Sequence, residues 1–155
     1  KKYEEKWMNM MRDKLGLFGL ENNDKILILD LLTLMHEKKA DYTNTFCHLM
    51  GANSKKDIIF EDKYFINWKK RWKERLLKNS NSPDKCINLM RNSNPLVIPR
   101  NHKVEEALEA AEQNNMKPIK KILEILNKPY TEQKNLVDYQ SPSTTSEKYQ
   151  TFCGT

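Results

Sequence analysis

The chain has 155 residues, of which 38% are apolar and 31% charged, with only 4 glycines and 6 prolines. This length suits one domain with a modest core, and the composition favours a soluble helical protein over a glycine-rich β-fold or a disordered chain. No apolar run approaches the roughly 20 residues that span a bilayer. The formal net charge is +6, and it is concentrated in residues 54–103, which hold 13 basic and 5 acidic side chains.

The cysteine content and the first residues bear on the cellular context. Three cysteines, Cys47, Cys86 and Cys153, are widely spaced and form no Cys-x-x-Cys pair. A secreted disulfide framework has a denser and even set, so this content predicts a reducing compartment, the cytoplasm. The segment from Lys1 to Glu5 is charged and amphipathic, with neither an initiator methionine nor a signal-peptide pattern, which favours a cut inside a longer protein.

Apolar spacing predicts about seven helices, and the first three come before residue 52. The first ends at Gly16, the second begins at an Asn22–Asp24 cap, and the third runs from an Asp41 cap to Gly51. The centre of the second, residues 26–29, could instead be a buried strand, but its length favours a buried helix. The predicted apolar stripes are Tyr3, Trp7, Met8, Met11 and Leu15; Ile26, Leu27, Leu31, Leu34 and Met35; and Tyr42, Phe46, Leu49 and Met50.

The remaining helices lie between residues 60 and 129. The fourth is the strongest pattern, and the fifth begins with a serine cap followed by Pro83, at the position where a missing N–H does no harm. Pro95 and Pro99 break the chain before the sixth, and the small Ala107, Ala110 and Ala111 would let the sixth and seventh pack closely. The predicted stripes are Phe60, Tyr64, Phe65, Trp68, Trp72 and Leu76; Cys86 or Ile87, Leu89 and Met90; Val104, Ala107, Leu108 and Ala111; and Ile119, Ile122, Leu123 and Leu126.

Helical periodicity is lost from Tyr130 onward. The run Ser141–Ser146 cannot bury enough apolar surface to order itself, whereas Tyr139, Tyr149 and Phe152 are apolar anchors that a disordered linker does not need. We therefore predict an all-α fold, an irregular helical bundle over residues 1–129. Residues 130–155 are predicted to form an extended tail along the bundle, with Cys153 near the surface.

The sequence offers no candidate for a catalytic, cofactor-binding or metal-binding residue within this chain. His36, His48 and His102 lack metal-ligand spacing, and Cys47 and His48 are neighbours that point about 100° apart on a helix. A Walker loop and the Gly-x-Gly-x-x-Gly pattern are both missing.

The basic helix around Trp68 and Trp72 allows an alternative function. Aromatic side chains interleaved with lysine and arginine can stack on single-stranded bases, so residues 54–103 could serve a free-standing interaction or nucleic-acid-binding module. The tryptophans share one face with Phe65 and Leu76, however, which favours a core position for them and a solvated face for the cations.

Several stretches, taken in order, resemble the C-terminal third of the SelO (selenoprotein O) family of pseudokinase protein adenylyltransferases, also called YdiU. Each stretch is weak alone, but together they cover nearly the whole chain. One departure is Cys47, where the family tends to have an arginine, and this cysteine is expected to be a small buried apolar residue. The matching stretches are Met11–Leu17, Asp41–Phe46, Trp68–Trp72 with Arg75 and Leu76, Met90–Pro95, Ile98–Asn101, Val104–Leu108, Asn127–Tyr130 and Thr151–Thr155.

The resemblance implies a bacterial cytoplasmic protein with a kinase-like fold that binds ATP with Mg²⁺ and transfers AMP to protein hydroxyl groups. It implies that the nucleotide and metal ligands precede this chain, which would be the helical end of the large lobe, structural or regulatory and inactive alone. The implied partners are the kinase-like lobes of the same protein and its protein substrates. The resemblance also implies a redox role for Cys153.

Overall fold

A computed structural model describes residues 2–52, 57–79, 81–134 and 136–143 of the chain. Across these ranges the fold is helical and contains no strand, so the predicted all-α class is confirmed and the strand alternative for residues 26–29 is wrong. Two short elements, a 3₁₀ turn and a one-turn helix near the C-terminus, were not predicted. The elements are α1 (Lys2–Lys14), α2 (Asp24–Glu37), α3 (Tyr42–Leu49), a 3₁₀ turn (Ile58–Glu61), α4 (Lys63–Leu77), α5 (Pro83–Ser93), α6 (Asn101–Glu112), α7 (Lys117–Leu126) and α8 (Val137–Gln140).

Aspartate side chains fix the starts of α3 and α4. The Asp41 carboxylate accepts a hydrogen bond of 2.8 Å from the backbone N–H of Asn44, which confirms the predicted cap of α3. Asp62 caps α4 in the same manner, so Phe60 lies in the preceding 3₁₀ turn and not in the helix as predicted. Asn23 precedes α2 but makes no capping hydrogen bond through its side chain, whereas the Asp24 carboxylate accepts a hydrogen bond from the backbone N–H of Glu21.

Gly16 ends α1 and allows α5 to approach. Its φ of +70° lies in the left-handed region that glycine adopts without strain. A Cβ atom at this position would lie 2.9 Å from the Cys86 carbonyl oxygen and 3.0 Å from the Met90 side chain. The predicted glycine stop therefore also sets how closely α1 and α5 pack.

The core is built around the aromatic side of α4. Phe65, Trp68 and Trp72 are buried, and the two indole rings stack with their centroids 6.0 Å apart. Each indole N–H donates to a backbone carbonyl of another segment, Trp68 to Leu27 at 2.8 Å and Trp72 to Leu15 at 2.9 Å. The prediction that both tryptophans belong to the core is confirmed.

The apolar stripes predicted from sequence are wider than the surfaces that the helices bury. Packing covers the centre of each stripe, whereas residues at its edge or in a first or last turn extend past the neighbouring helix. The predicted stripe residues that are exposed are Tyr3, Ile26, Tyr42, Tyr64, Leu108 and Leu123.

The C-terminal part follows an α6–α7 pair. These two helices pack on one another with Ala107 buried, as the small residues predicted. Beyond α7 the chain is tied back to the bundle, since the Leu96 N–H donates to the Pro129 carbonyl at 2.7 Å. Leu136 is buried and Tyr139 packs against the core, so the predicted anchoring at Tyr139 is confirmed, although residues 137–140 form a helical turn.

The end of the predicted tail is not described. Tyr149, Phe152 and Cys153 lie outside the residues that the structure describes, and the expectations for them stay predictions. Within the described ranges, no helix has the length and apolar character needed to cross a membrane.

Candidate functional site

The histidines considered as metal ligands lie on three different helices. His36 and His48 are in the last turns of α2 and α3, and His102 is in the first turn of α6. In the described ranges, the structure brings together no group of three His, Cys, Asp or Glu residues suited to holding a metal ion.

His48 has a specific packing role. Its ring stacks on Phe60 at a centroid distance of 3.7 Å, and its Nε2 lies 3.3 Å from the Lys69 ammonium. Burial and the Lys69 charge both lower the pKa of His48, so the imidazole is neutral at pH 7 and its Nε2 can accept a hydrogen bond from that ammonium. The pair connects the end of α3 to α4.

Asp24 is the most buried ionised group of the described chain and lies between two arginines. Its carboxylate accepts from Arg75 Nε at 2.6 Å and from Arg12 Nε at 2.9 Å. The backbone N–H of Glu21 adds a third donor at 3.2 Å, and Arg75 also donates to the Phe18 carbonyl at 3.0 Å. The first turn of α2 is thereby joined to α1, to α4 and to the loop between α1 and α2.

The electrostatics of Asp24 follow from this geometry. Burial alone would raise the pKa of the Asp24 carboxyl, but hydrogen bonds from Arg75 and Arg12 outweigh burial and leave its pKa below the usual value. Asp24 is therefore ionised at neutral pH and holds two guanidinium groups. The Asp24 carboxylate and its donors stabilise the fold, and they leave no open position for a substrate.

A second polar junction joins α3, α6 and the C-terminal segment. Arg100 forms a bidentate ion pair with Asp41, with N–O distances of 2.7 and 2.9 Å, and it also donates to the Gln140 carbonyl at 2.7 Å. Asn44 donates to the same carbonyl at 3.2 Å, and the Gln140 amide donates to the Leu96 carbonyl at 2.8 Å. The junction thus fixes residue 140 to two distant parts of the chain, α3 and the segment before α6.

Cys47 lies beside this junction as a buried apolar residue, which confirms the expectation for this position. It has no exposed surface, and its thiol contacts the Pro95 carbonyl at 3.7 Å. Burial, with a smaller contribution from the negative charge of Asp41, raises the pKa of Cys47 to about 11. The thiol therefore stays protonated at neutral pH and is a poor nucleophile. Cys86 is also a buried free thiol.

The basic surface of α4 is less suited to nucleic acid than its sequence suggests. Trp68 and Trp72 are inside the core and cannot stack on bases. Two of the arginines already have carboxylate partners, because Arg71 pairs with Asp30 at 2.6 Å and Arg75 is buried on Asp24. The cations of α4 that remain to bind a polyanion are surface lysines.

Sequence reasoning missed the two polar junctions. One signal was present for Arg75, which follows Trp72 by three residues and so falls on the apolar side of α4. Asp24 was interpreted as part of a cap, and Gln140 carries no sequence signal because its partners are far away in the chain.

Comparison with known proteins shows similarity along the whole chain. Residues 1–127 match the family model described as protein adenylyltransferase SelO. A protein nucleotidyltransferase YdiU from Pelagibacter ubique is 49% identical over 154 residues, which is 99% of this chain and 32% of that protein. The proteins of the same name from Alcanivorax borkumensis and Clostridium botulinum are 47% and 46% identical and cover 99% and 100% of this chain. The chain spans about a third, 32%, of the length of each of these relatives.

Proposed function

Because this chain belongs to the family of the protein adenylyltransferase SelO, we propose that it is the C-terminal helical part of a longer protein that transfers AMP from ATP to hydroxyl groups of proteins. The observation that carries this proposal is the alignment, in which 99% of the chain matches 32% of a protein nucleotidyltransferase. The longer protein is proposed to be a kinase-like enzyme of the bacterial cytoplasm.

Within that protein, the proposed role of this chain is structural and regulatory. The buried ion pair of Asp24 and Arg75 joins helices and leaves no position for a nucleotide. ATP and Mg²⁺ are proposed to bind to the part of the protein outside this chain. The helical bundle would support that part from one side.

The proposal predicts a difference between the isolated chain and the full-length protein. With labelled ATP and Mg²⁺, the full-length protein should transfer AMP to protein hydroxyl groups, whereas the isolated chain should transfer none. Calorimetric titration of the isolated chain should show no binding of Mg²⁺–ATP at micromolar concentrations. The matched control is the full-length protein with a chelator that removes Mg²⁺. Micromolar affinity in the isolated chain would contradict the proposed division of roles.

A redox role for Cys153 is a further part of the proposal. Two thiols, Cys153 and a cysteine outside this chain, would lose two electrons and two protons to a disulfide oxidant such as oxidised glutathione and form a disulfide. That bond would hold the tail against the catalytic part.

Thiol labelling tests the role of Cys153. In the isolated chain Cys153 should react faster than Cys86, which is buried on α5. In the oxidised full-length protein, peptide mapping should find Cys153 in an intramolecular disulfide, and a Cys153→Ser variant should lack that crosslink. Slower reaction than Cys86, or a free Cys153 after oxidation, would refute the role.

A further inference from the structure

Helix α2 carries apolar residues on every side, with polar residues such as Asp30 and Thr33 between them. Eight of its fourteen residues are Ile, Leu or Met, and consecutive apolar positions such as 26–29 point to every side of the helix at 100° steps. A surface helix needs only one apolar face, so apolar residues on further sides indicate further neighbours. Neighbours on both sides are therefore expected for α2.

One side of α2 has such neighbours in this chain. Leu27, Ile28 and Leu31 are buried in the core, where α2 packs on α4 and α1. The Trp68 indole N–H binds the Leu27 carbonyl on this side at 2.8 Å. This contact fixes which side of α2 faces inward.

The opposite side of α2 is open. Ile26 is 55% exposed and Leu29 is 44% exposed. Leu32 follows at the same spacing of three, is half-buried, and continues the row into a groove of about 500 Å³. We call Ile26, Leu29, Leu32 and this groove the α2 face. The groove is lined by Leu32, Met35, His36, Lys39, Ala40 and Tyr42.

Two ion pairs lie beside the α2 face. Lys25 pairs with Glu4 at 2.7 Å, and Asp30 pairs with Arg71 at 2.6 Å. An apolar centre with a polar rim is the usual arrangement of a protein–protein interface. These two pairs are neutralised within the chain, and Lys39, which lines the groove, adds one positive charge to the rim.

We infer that the α2 face is the docking surface for the remaining two thirds of the full-length polypeptide. This inference rests on the proposed function, in which the chain is one part of a longer protein. Its relatives are about three times as long, since the chain spans 32% of them, so a large covalently attached partner is available. Attachment raises the effective concentration of that partner to about millimolar, so a modest apolar patch suffices to hold it.

Site-specific thiol labelling tests the inference in the full-length protein. Leu29→Cys should react at least about tenfold more slowly in the full-length protein than in the isolated chain, because docking hides it. The matched control is Leu123→Cys on α7, a leucine that is also exposed, at 62%, and lies off the α2 face. Its labelling rate should be the same in both forms. Ile26→Cys provides a second reading in case Leu29→Cys impairs folding.

Three results would overturn the inference. Equal labelling of Leu29→Cys in both forms would show an uncovered face, and equal protection of Leu123→Cys would show a nonspecific effect. Protection in the isolated chain that grows with protein concentration would assign the face to a second copy. AMP transfer by the same full-length protein is measured in a separate assay. An absence of AMP transfer would refute the proposed function but would leave the labelling result, and the docking inference, to be judged by itself.

Discussion

Replacing Trp68 by alanine is expected to lower the free energy of unfolding of the chain by about 3–5 kcal/mol. The indole is buried, stacks on Trp72 and donates to the Leu27 carbonyl, so the substitution removes packing volume and a hydrogen bond between α4 and α2. A small domain has about 5–15 kcal/mol of stability in total, so a large part would be lost. Urea unfolding followed by circular dichroism measures the change.

The control for this prediction lies on the same helix. Tyr64 is 58% exposed in the first turn of α4, and Tyr64→Ala should change the stability by no more than about 0.5 kcal/mol. A Trp68→Ala protein that melts at the wild-type temperature would show that the tryptophan is not part of the core.

Replacing Asp24 by asparagine is expected to cost about 3–5 kcal/mol at pH 7, because the buried Arg75 guanidinium would lose its counter-charge. The effect depends on pH with a definite sign. The pKa of Asp24 is lowered in the folded chain, so its stabilising effect is full above the unfolded pKa of about 4 and is lost as pH falls through the lower folded value. The difference between wild type and Asp24→Asn should therefore shrink in acid.

Urea titrations of both proteins between pH 7 and pH 2 measure this difference. Asp30→Asn is the matched control, because Asp30 also pairs with an arginine of α4, but at the surface, with 41% of its side chain exposed. That variant should lose no more than about 1 kcal/mol. Equal losses for the two variants, or a loss for Asp24→Asn that stays constant in acid, would contradict the role given to the buried pair.

Local sequence signals predicted the helices well. Gly16 ends α1 through its left-handed backbone conformation, and Asp41 begins α3 through its capping side chain, as predicted. The spacing of Phe65, Trp68 and Trp72 identified the aromatic core because three- and four-residue intervals place side chains on one side of a helix. These features depend only on residues close together in the chain.

The features that sequence did not predict depend on distant partners. Ile26 matches the apolar spacing of α2, yet whether it is covered depends on which surface meets that helix. Asp24 and Arg75 form an ion pair across 51 residues, and a capping position explained Asp24 equally well before the fold was known. For the same reason, the sequence around Gln140 did not predict that Asn44 and Arg100 bind its carbonyl.

The position of Gln140 has a consequence for how the chain folds during synthesis on the ribosome. Its carbonyl accepts from Asn44, which is made 96 residues earlier, an interval of roughly 5–20 s at the usual rate of elongation. Arg100, which binds the same carbonyl, precedes it by 40 residues. Both donors must stay hydrated until residue 140 has emerged from the ribosome, so the helices can form early while the junction at Gln140 closes only afterwards.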